Sequence, residues 1–219
     1  MDGDVDRNAR NIGREPQSPE RLAPNSAVGN RLTGDVACRM RILGVDPGTM
    51  VTGYGVIDVD GEKLTLVDYG VVKMTSAMTL PARLERIYTS LAAVIEATLP
   101  DEFAIESAFY SKNVQSTLKL GHARGVSILA AQLRQIPTAE YAPSEVKRSV
   151  TGNGNASKEQ VEYMVMALLA MKEQTHLLDA TDALAIALCH GRKIHSPRSR
   201  SRSWEQFVVD HPNRVLTGR

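Results

Sequence analysis

The stretch Arg41-Ile42-Leu43-Gly44-Val45-Asp46-Pro47-Gly48-Thr49 decides the fold. Its apolar run is too short for a helix, has β-branched residues at Ile42 and Val45, and stops at a Pro-Gly turn, so it predicts a central strand. This strand delivers one carboxylate, Asp46, to its carboxyl edge. A buried strand that ends on a single acid is a place where a metal ion could be held.

Two further strands and a series of helices follow this one. Residues 52–59 and 64–72 predict an antiparallel meander with a hairpin turn at Asp60-Gly61. The apolar run 103–106 predicts a fourth strand, and a brief fifth strand that starts near Thr138 ends at Tyr141-Ala142-Pro143. The predicted helices open at Pro81, cover 113–135, begin at Pro143, follow a Ser157 cap with Gln160, and cover 179–190 with Gly191 as the stop. The pattern predicts an α/β fold whose mixed five-stranded sheet, three antiparallel strands and then parallel strands, is flanked by helices.

Length and composition predict one domain with two tails. The 219 residues, 42% hydrophobic, can bury one sizeable core. We expect a disordered extension over 1–39, the folded domain over 40–193 and a basic flexible tail over 194–219. Met40, directly before the first strand, is a candidate initiator. Residues 192–219 carry seven Arg or Lys against two acids, which is typical of a solvated end and also of an arm that touches nucleic acid.

Other residue types exclude several classes of protein. There is no apolar run of about 18 residues and no basic-then-apolar leader, so we expect a cytoplasmic protein without a membrane partner. Cys38 lies in a probable tail and Cys189 in a helical pattern, so we expect two ordinary thiols that form neither a disulfide framework nor a metal cluster. We expect His122, His176 and His190 to be surface or capping residues rather than ligands.

Four acids stand out by position. Asp46 and Glu106 end apolar strands, while Asp179 and Asp182 are three apart near the start of an apolar helix and so project from one face. Apolar surroundings would neutralise such carboxylates unless cations compensate, so several converging acids imply a divalent metal. All-oxygen coordination favours Mg²⁺ or Mn²⁺ over zinc.

Each acid alone also fits an ordinary structural role. Asp-Pro-Gly is a common turn, and Asp179 and Asp182 suit the N-cap and first turn of a helix. Glu106 is harder to explain in this way, because an acid directly after a core strand needs a partner. The set is therefore more specific than any of its members.

The motifs around these acids resemble one family. They are LGVDPG at 43–48, TGYG at 52–55, FAIE at 103–106, KLGHARG at 119–125 and DATDALAIA at 179–187. Over residues 41–193 they are similar, in order and spacing, to the RuvC Holliday junction resolvases of bacteria. The resemblance does not cover the first 40 residues and is weak in the C-terminal tail.

The resemblance implies an RNase H-like fold and a homodimeric endonuclease that resolves four-way DNA junctions in recombination and repair. Asp46, Glu106, Asp179 and Asp182 fall on the family's four catalytic, metal-holding acids. The implied chemistry is phosphodiester hydrolysis with two Mg²⁺ per subunit, about 4 Å apart and replaceable by Mn²⁺. The implied products are nicks with 5′-phosphate ends, and the RuvAB branch-migration complex is a further implied partner.

The resemblance also assigns roles to residues outside the acid set. Lys147 and Lys158 match catalytic, DNA-binding lysines near the scissile phosphate, although a lone lysine is ordinarily a solvated surface residue. Phe109 matches an aromatic that stacks on an unpaired base, with a core Phe as the alternative, and Tyr110 beside it is ambiguous. The expected phosphate contacts are Lys112, Lys119, Arg124 and Arg148.

The sequence also predicts a dimer surface and leaves two alternative functions open. Gly121 and Gly125 lie four apart on the long helix and mark the expected dimer surface, because symmetric cutting needs two equivalent sites. GVDPGT at 44–49 also fits an ATPase or sugar kinase of the actin and hexokinase type, although such proteins need two domains around a cleft. A junction-binding module without activity is the other rival, and the presence of all four acids counts against it.

Overall fold

The computed structural model describes residues 39–107, 114–171 and 178–195. In this part of the chain five strands and five helices follow one another. The strands are β1 (Met40–Asp46), β2 (Val51–Asp60), β3 (Lys63–Lys73), β4 (Glu102–Glu106) and β5 (Thr138–Tyr141). The helices are α1 (Leu80–Thr98), α2 (Val114–Gln132), α3 (Pro143–Thr151), α4 (Lys158–Leu168) and α5 (Leu178–His195).

The five strands form one mixed sheet in the order β3-β2-β1-β4-β5. The first three pair antiparallel, whereas β4 pairs parallel with both β1 and β5. The predicted sheet is thereby confirmed. Its central strand, β1, contains the apolar run 42–45, which is wholly buried. Because β1 and β4 are parallel, their carboxyl ends lie at the same edge of the sheet.

Helices cover both faces of the sheet, and the alternation along β1 separates the two layers. Ile42 packs with α3, α4 and α5, while Leu43 and Val45 pack on the opposite face with α1 and α2. Successive strand side chains point to opposite faces, so Gly44 and Asp46 share the α5 face with Ile42. Burial of each large apolar side chain in these layers stabilises the fold by about 1.5–3 kcal/mol.

Helix α5 approaches the sheet at glycines. A Cβ on Gly44 would lie 2.2 Å from the carbonyl oxygen of Ala183, and a Cβ on Gly53 would lie 1.9 Å from that of Asp179. Gly44 also pairs with Gly55 across β1 and β2, so the close approach spans two strands. The backbone of α5 therefore rests directly on the sheet, which brings its first turns to the end of β1.

Two expectations for the end of α5 are wrong. Gly191 does not stop the helix, which continues to His195; a Cβ on Gly191 would lie 2.9 Å from Val59 Cγ2, so this glycine serves close packing inside the helix. His190 is not a surface or capping residue, because only 5% of it is exposed. Its Nδ1 lies 2.6 Å from the hydroxyl of Tyr141 on β5, so it belongs to the layer between α5 and the sheet.

Other local expectations are confirmed. Ser157 Oγ accepts a hydrogen bond from the Gln160 amide at 3.3 Å, and the Gln160 side chain accepts one from the Ser157 amide at 2.9 Å, which is a capping box. Pro143 opens α3, and Cys189 is a buried free thiol. Among the residues that the structure describes, no helix is long and apolar enough to cross a bilayer. Cys38 and His176 lie outside the described residues.

Candidate active site

Asp46 stands at the carboxyl end of β1, and the turn that follows it is held by Thr52. The Thr52 hydroxyl donates to the Gly48 carbonyl oxygen at 2.7 Å and accepts from the Gly48 amide at 3.2 Å. Thr52 is fully buried, so this clamp is shielded from water. Sequence reasoning missed it; a hydroxyl near the start of a buried strand, four residues after a glycine turn, was the available signal.

Glu106 ends β4 beside Asp46. Val45 pairs with Ile105, so the next residue of each strand reaches the same edge, and both carboxylates belong to the face covered by α5. The chain is fixed directly after Glu106, because the Ser107 amide donates to the Tyr141 carbonyl oxygen at 2.8 Å. The two strand acids are thus placed by parallel pairing.

Helix α5 brings its own acids to this edge. Asp182 joins Asp46, Glu106, Lys147 and Lys158 around one cavity of about 330 Å³. The apolar part of its wall consists of Pro143, Val146, Val161, Ala185 and Ile186. Asp179, one turn earlier on α5, is not among the lining residues, but its negative charge raises the pKa of Asp46.

The acids disfavour one another's ionisation. Burial, the largest cause, and repulsion by Glu106, Asp182 and Asp179 together raise the pKa of Asp46 to about 7, while Lys158 opposes the rise. Burial is also the largest cause of the raised pKa values of Glu106 and Asp182. Such a cluster is short of positive charge, which a cation would supply.

Two lysines supply part of that charge. Lys158 Nζ lies 3.5 Å from Asp182 Oδ2, and the charge of Asp182 is the largest cause of the raised pKa of Lys158. The positive charges of Lys158 and Lys147 both act against the raised pKa of Glu106. Lys147 comes from α3 and Lys158 from the first turn of α4, so two different helices contribute these cations.

The acid cluster fits a divalent metal by its chemistry. Within the described ranges, no group of three or more His, Cys, Asp or Glu side chains already lies in an arrangement that could hold a metal ion. The carboxylates instead surround an open cavity with an all-oxygen donor set, and their raised pKa values show that bound positive charge would relieve their repulsion. Oxygen donors of this kind suit Mg²⁺ or Mn²⁺.

The remaining predicted site residues lie elsewhere. Lys119 on α2 and Arg148 on α3 are exposed and do not line the cavity. Arg124 is directed to the backbone of β4, where its Nε donates to the Glu106 carbonyl oxygen at 3.2 Å, and it pairs with Glu140. Predictions for Phe109, Tyr110 and Lys112 lie outside the described residues.

The fold and the site define the class of RNase H-like nucleases, which hold metal with acids at the edge of a mixed sheet. The family model described as Crossover junction endodeoxyribonuclease RuvC matches residues 42–190. The chain belongs to the RuvC family.

Individual relatives support this assignment. Crossover junction endodeoxyribonuclease RuvC of Salinibacter ruber is 49% identical over 177 residues, which cover 80% of this chain and 99% of the relative. RuvC of Cytophaga hutchinsonii is 47% identical, with 80% and 88% covered. Among solved structures, Thermus thermophilus RuvC in complex with Holliday junction substrate has a TM-score of 0.68 and 34% identity, with 71% of this chain and 95% of that chain covered. Matches of this extent disfavour the ATPase and kinase alternative.

Proposed function

We propose that this chain is a Holliday junction resolvase, an endonuclease that makes symmetric nicks in four-way DNA junctions during recombination and repair. One observation supports this proposal above all: in a chain of the RuvC family, one cavity is lined by three acids and two lysines, Asp46, Glu106, Asp182, Lys147 and Lys158. The Thermus thermophilus relative, which is solved with Holliday junction substrate, supports the choice of DNA.

We assign the four acids to metal binding. Asp46, Glu106 and Asp182 line the cavity, and Asp179 adds negative charge from the first turn of α5. Bound Mg²⁺, two ions per subunit and replaceable by Mn²⁺, would orient an attacking water and neutralise charge on the phosphate and the leaving 3′ oxygen. The carboxylates hold the metal and do not act as nucleophiles.

The lysines act on the phosphate in this proposal. Lys147 on α3 and Lys158 on α4 line the same cavity as the acids. A positive charge that is fixed before the reaction stabilises the negative charge that develops on the phosphate. Both lysines therefore count as catalytic and as DNA-binding.

Further DNA contacts are proposed around the cavity. Lys119 and Arg148 are exposed on α2 and α3 and are free to approach phosphates, which would position the duplex without reading its sequence. Lys112 is assigned to phosphate, and Phe109 with Tyr110 to the bases at the junction, through the family resemblance. Replacement of Phe109 by Ala should lower cleavage while leaving the melting temperature nearly unchanged.

A homodimer through α2 completes the proposal. Val114, Leu118 and Leu129 are 48–70% exposed, and a Cβ on Gly121 or Gly125 would meet nothing within 4 Å. By helical spacing these five residues form one stripe, opposite the buried face of Ala123, Ser127 and Ala130. An exposed apolar stripe with small residues at its centre suits a second copy of the same helix. Gly125→Arg should shift the protein toward monomer in light scattering, with exposed Lys63→Arg on β3 as the control.

The family resemblance also supports a location, a partner and domain bounds for this chain. We propose the bacterial cytoplasm as the location, because the DNA substrate lies there, and the RuvAB branch-migration complex as a partner. We further propose that 40–193 is the nuclease domain and that 1–39 and 194–219 are tails outside it.

The decisive experiment uses a synthetic mobile four-way junction, with and without Mg²⁺, and a linear duplex as the control. Paired, symmetric nicks that need both metal and a junction are the expected result. Binding without cutting would favour the junction-binding module without activity. Absence of any interaction with the junction would contradict the proposal, and nucleotide hydrolysis would then be the next test.

A further inference from the structure

One guanidinium joins three elements behind the acid cluster. Arg124 on α2 donates from Nε to the carbonyl oxygen of Glu106 at 3.2 Å, and its other arm pairs with the Glu140 carboxylate on β5. Glu106 is the last residue of β4, so Arg124 contacts the strand at the residue that carries the acid. The guanidinium therefore links α2, β4 and β5 at one point.

Burial indicates that this link is built into the fold. The Arg124 side chain is 19% exposed, whereas that of Glu140 is 50% exposed. The neighbouring Ala123 is fully buried against the sheet, which fixes the helix turn that carries Arg124. An arginine that already serves a backbone carbonyl and a carboxylate has its charge offset and its planar fork oriented. It is poorly suited to reach a DNA phosphate.

The backbone at the end of β4 is held by β5 and, in addition, by Arg124. The β4–β5 pairing ends at Glu106 and Tyr141, and the Ser107 amide and hydroxyl both donate to the Tyr141 carbonyl oxygen, at 2.8 and 3.2 Å. These bonds fix the chain after Glu106 on the β5 side. Arg124 holds the Glu106 carbonyl itself, from the side of α2.

We infer that Arg124 is a positioning residue that holds the end of β4 so that the Glu106 carboxylate faces Asp46 and Asp182. This inference rests on the proposed function, because it concerns the same metal-binding acids. Groups that orient the ligands of a metal typically change metal affinity or activity by about 10–100-fold when they are lost. Arg124 would act through Glu106 and would not touch the DNA.

The test compares three variants with the full-length wild-type protein. Arg124→Gln removes both contacts, and Glu140→Gln removes the ion pair while leaving the Arg124–Glu106 hydrogen bond. Arg134→Gln is the matched control, because Arg134 follows α2 and pairs with Glu96, away from the acids. Each protein is assayed for Mn²⁺ affinity by calorimetry without DNA, for single-turnover cleavage of the junction, and for junction binding in EDTA as a function of salt.

We expect Arg124→Gln to lose about 10-fold or more in Mn²⁺ affinity and in cleavage at limiting Mg²⁺, with partial recovery at high Mg²⁺. Junction affinity in EDTA and its salt dependence should match those of the wild type. Glu140→Gln should change in the same direction by a smaller factor, and Arg134→Gln should match the wild type. Arg124→Lys should restore little, because an ammonium cannot hold both partners in a planar fork.

Two outcomes would overturn the inference. Weaker junction binding by Arg124→Gln, with the salt slope reduced by about one, would make Arg124 a phosphate contact. Unchanged Mn²⁺ affinity and cleavage would make the link merely structural. If Arg124→Gln does not fold, the Mn²⁺ affinity and cleavage rate of Glu140→Gln test the inference, since this variant alters only a half-exposed carboxylate. A wild-type protein that binds Mn²⁺ but leaves junctions uncut would contradict the proposed function alone, because the metal comparison needs no DNA.

Discussion

Lys158 Nζ stands 3.5 Å from Asp182 Oδ2 and is the cation nearest to that acid among the described residues. Lys158 lies in the first turn of α4, directly after the Ser157 cap. The capping box therefore fixes the backbone position of this cavity-lining residue. Its side chain is 70% exposed and can therefore face both the acids and an incoming phosphate. This double position is the basis of the first prediction.

Lys158→Met should lower the single-turnover rate of junction cleavage by about 100-fold, since loss of one preorganised positive group typically costs that much. The melting temperature should change little, because an exposed lysine contributes little to stability. Lys63→Met, on the exposed start of β3, is the control and should cut at the wild-type rate. A Lys158→Met protein that cuts normally would remove Lys158 from the mechanism.

Asp46→Asn should stabilise the metal-free protein while abolishing cleavage. The pKa of Asp46 is raised to about 7 in the fold, so its ionised form at about pH 8 opposes folding, and an amide removes this opposition. We expect a gain of roughly 1–3 kcal/mol in the free energy of unfolding in EDTA. The difference should shrink as the pH falls and become small below about pH 3, where the carboxyl is protonated in the folded and the unfolded chain alike. A less stable Asp46→Asn protein in EDTA would mean that the carboxylate has a structural partner.

Glu106→Gln should separate binding from catalysis. The amide keeps the size of the side chain and the backbone contacts of β4, but it removes one negative charge from the cluster. Junction affinity in EDTA should therefore be retained while Mg²⁺-dependent nicking is lost. A gel-shift titration beside a cleavage time course checks both parts, and a loss of junction binding would instead mark Glu106 as structural.

His190 should make the fold sensitive to acid. Burial, and then the charge of Lys193, lowers the pKa of His190 to about 4, and its Nε2 lies 3.6 Å from Glu102 Oε2 on one side while Tyr141 occupies Nδ1 on the other. The unfolded chain takes up this proton near pH 6.5, so the stability is complete above about pH 6.5 and is lost as the pH falls toward 4.

Urea unfolding in EDTA at about pH 7.5 and about pH 4.5 checks this prediction. The wild type should lose about 2–3 kcal/mol more than His190→Gln over that interval, because the variant has no imidazole to protonate. Equal losses in the two proteins would show that the imidazole is protonated in the folded state as well.

Gly44→Ala should destabilise the fold by about 1–3 kcal/mol or more, because the added methyl would meet the Ala183 backbone rather than a movable side chain. Gly121→Ala is the contrast: its methyl meets open space in α2, and alanine favours a helix by about 0.5–1 kcal/mol over glycine. Thermal unfolding of both variants at low protein concentration is the measurement. Equal melting temperatures would contradict the direct contact of α5 with the sheet.

The sheet was predictable because its signals are local. The apolar run 42–45, its Pro-Gly stop and the parallel strand 103–106 are short patterns that fix which edge receives Asp46 and Glu106. The Ser157 cap and the Pro143 helix start are likewise determined by neighbours in sequence. Such features depend on residues a few positions apart, so a single sequence carries them.

The contacts that the sequence did not predict join distant residues. By the family resemblance Arg124 is an expected phosphate contact, and only the fold shows that its Nε donates to the Glu106 carbonyl oxygen. Gly191 has the pattern of a helix stop, and only the nearness of Val59 shows that it is a packing glycine. His190 meets Tyr141 across 49 positions of sequence, so its burial depends on how α5 crosses the sheet. Side-chain type alone does not distinguish these roles.

The close packing of α5 on the glycines of β1 and β2 also affects the order in which the acid set forms during synthesis of the chain. Domains form as the chain leaves the ribosome, amino-terminal parts first. Asp46 and Glu106 emerge early, whereas Asp179 and Asp182 arrive with the last described helix, whose backbone must settle on Gly44 and Gly53 before the acids can meet. A nascent or truncated chain therefore lacks half of its acid set. The complete acid set therefore forms only after α5 has been synthesised and packed on the sheet.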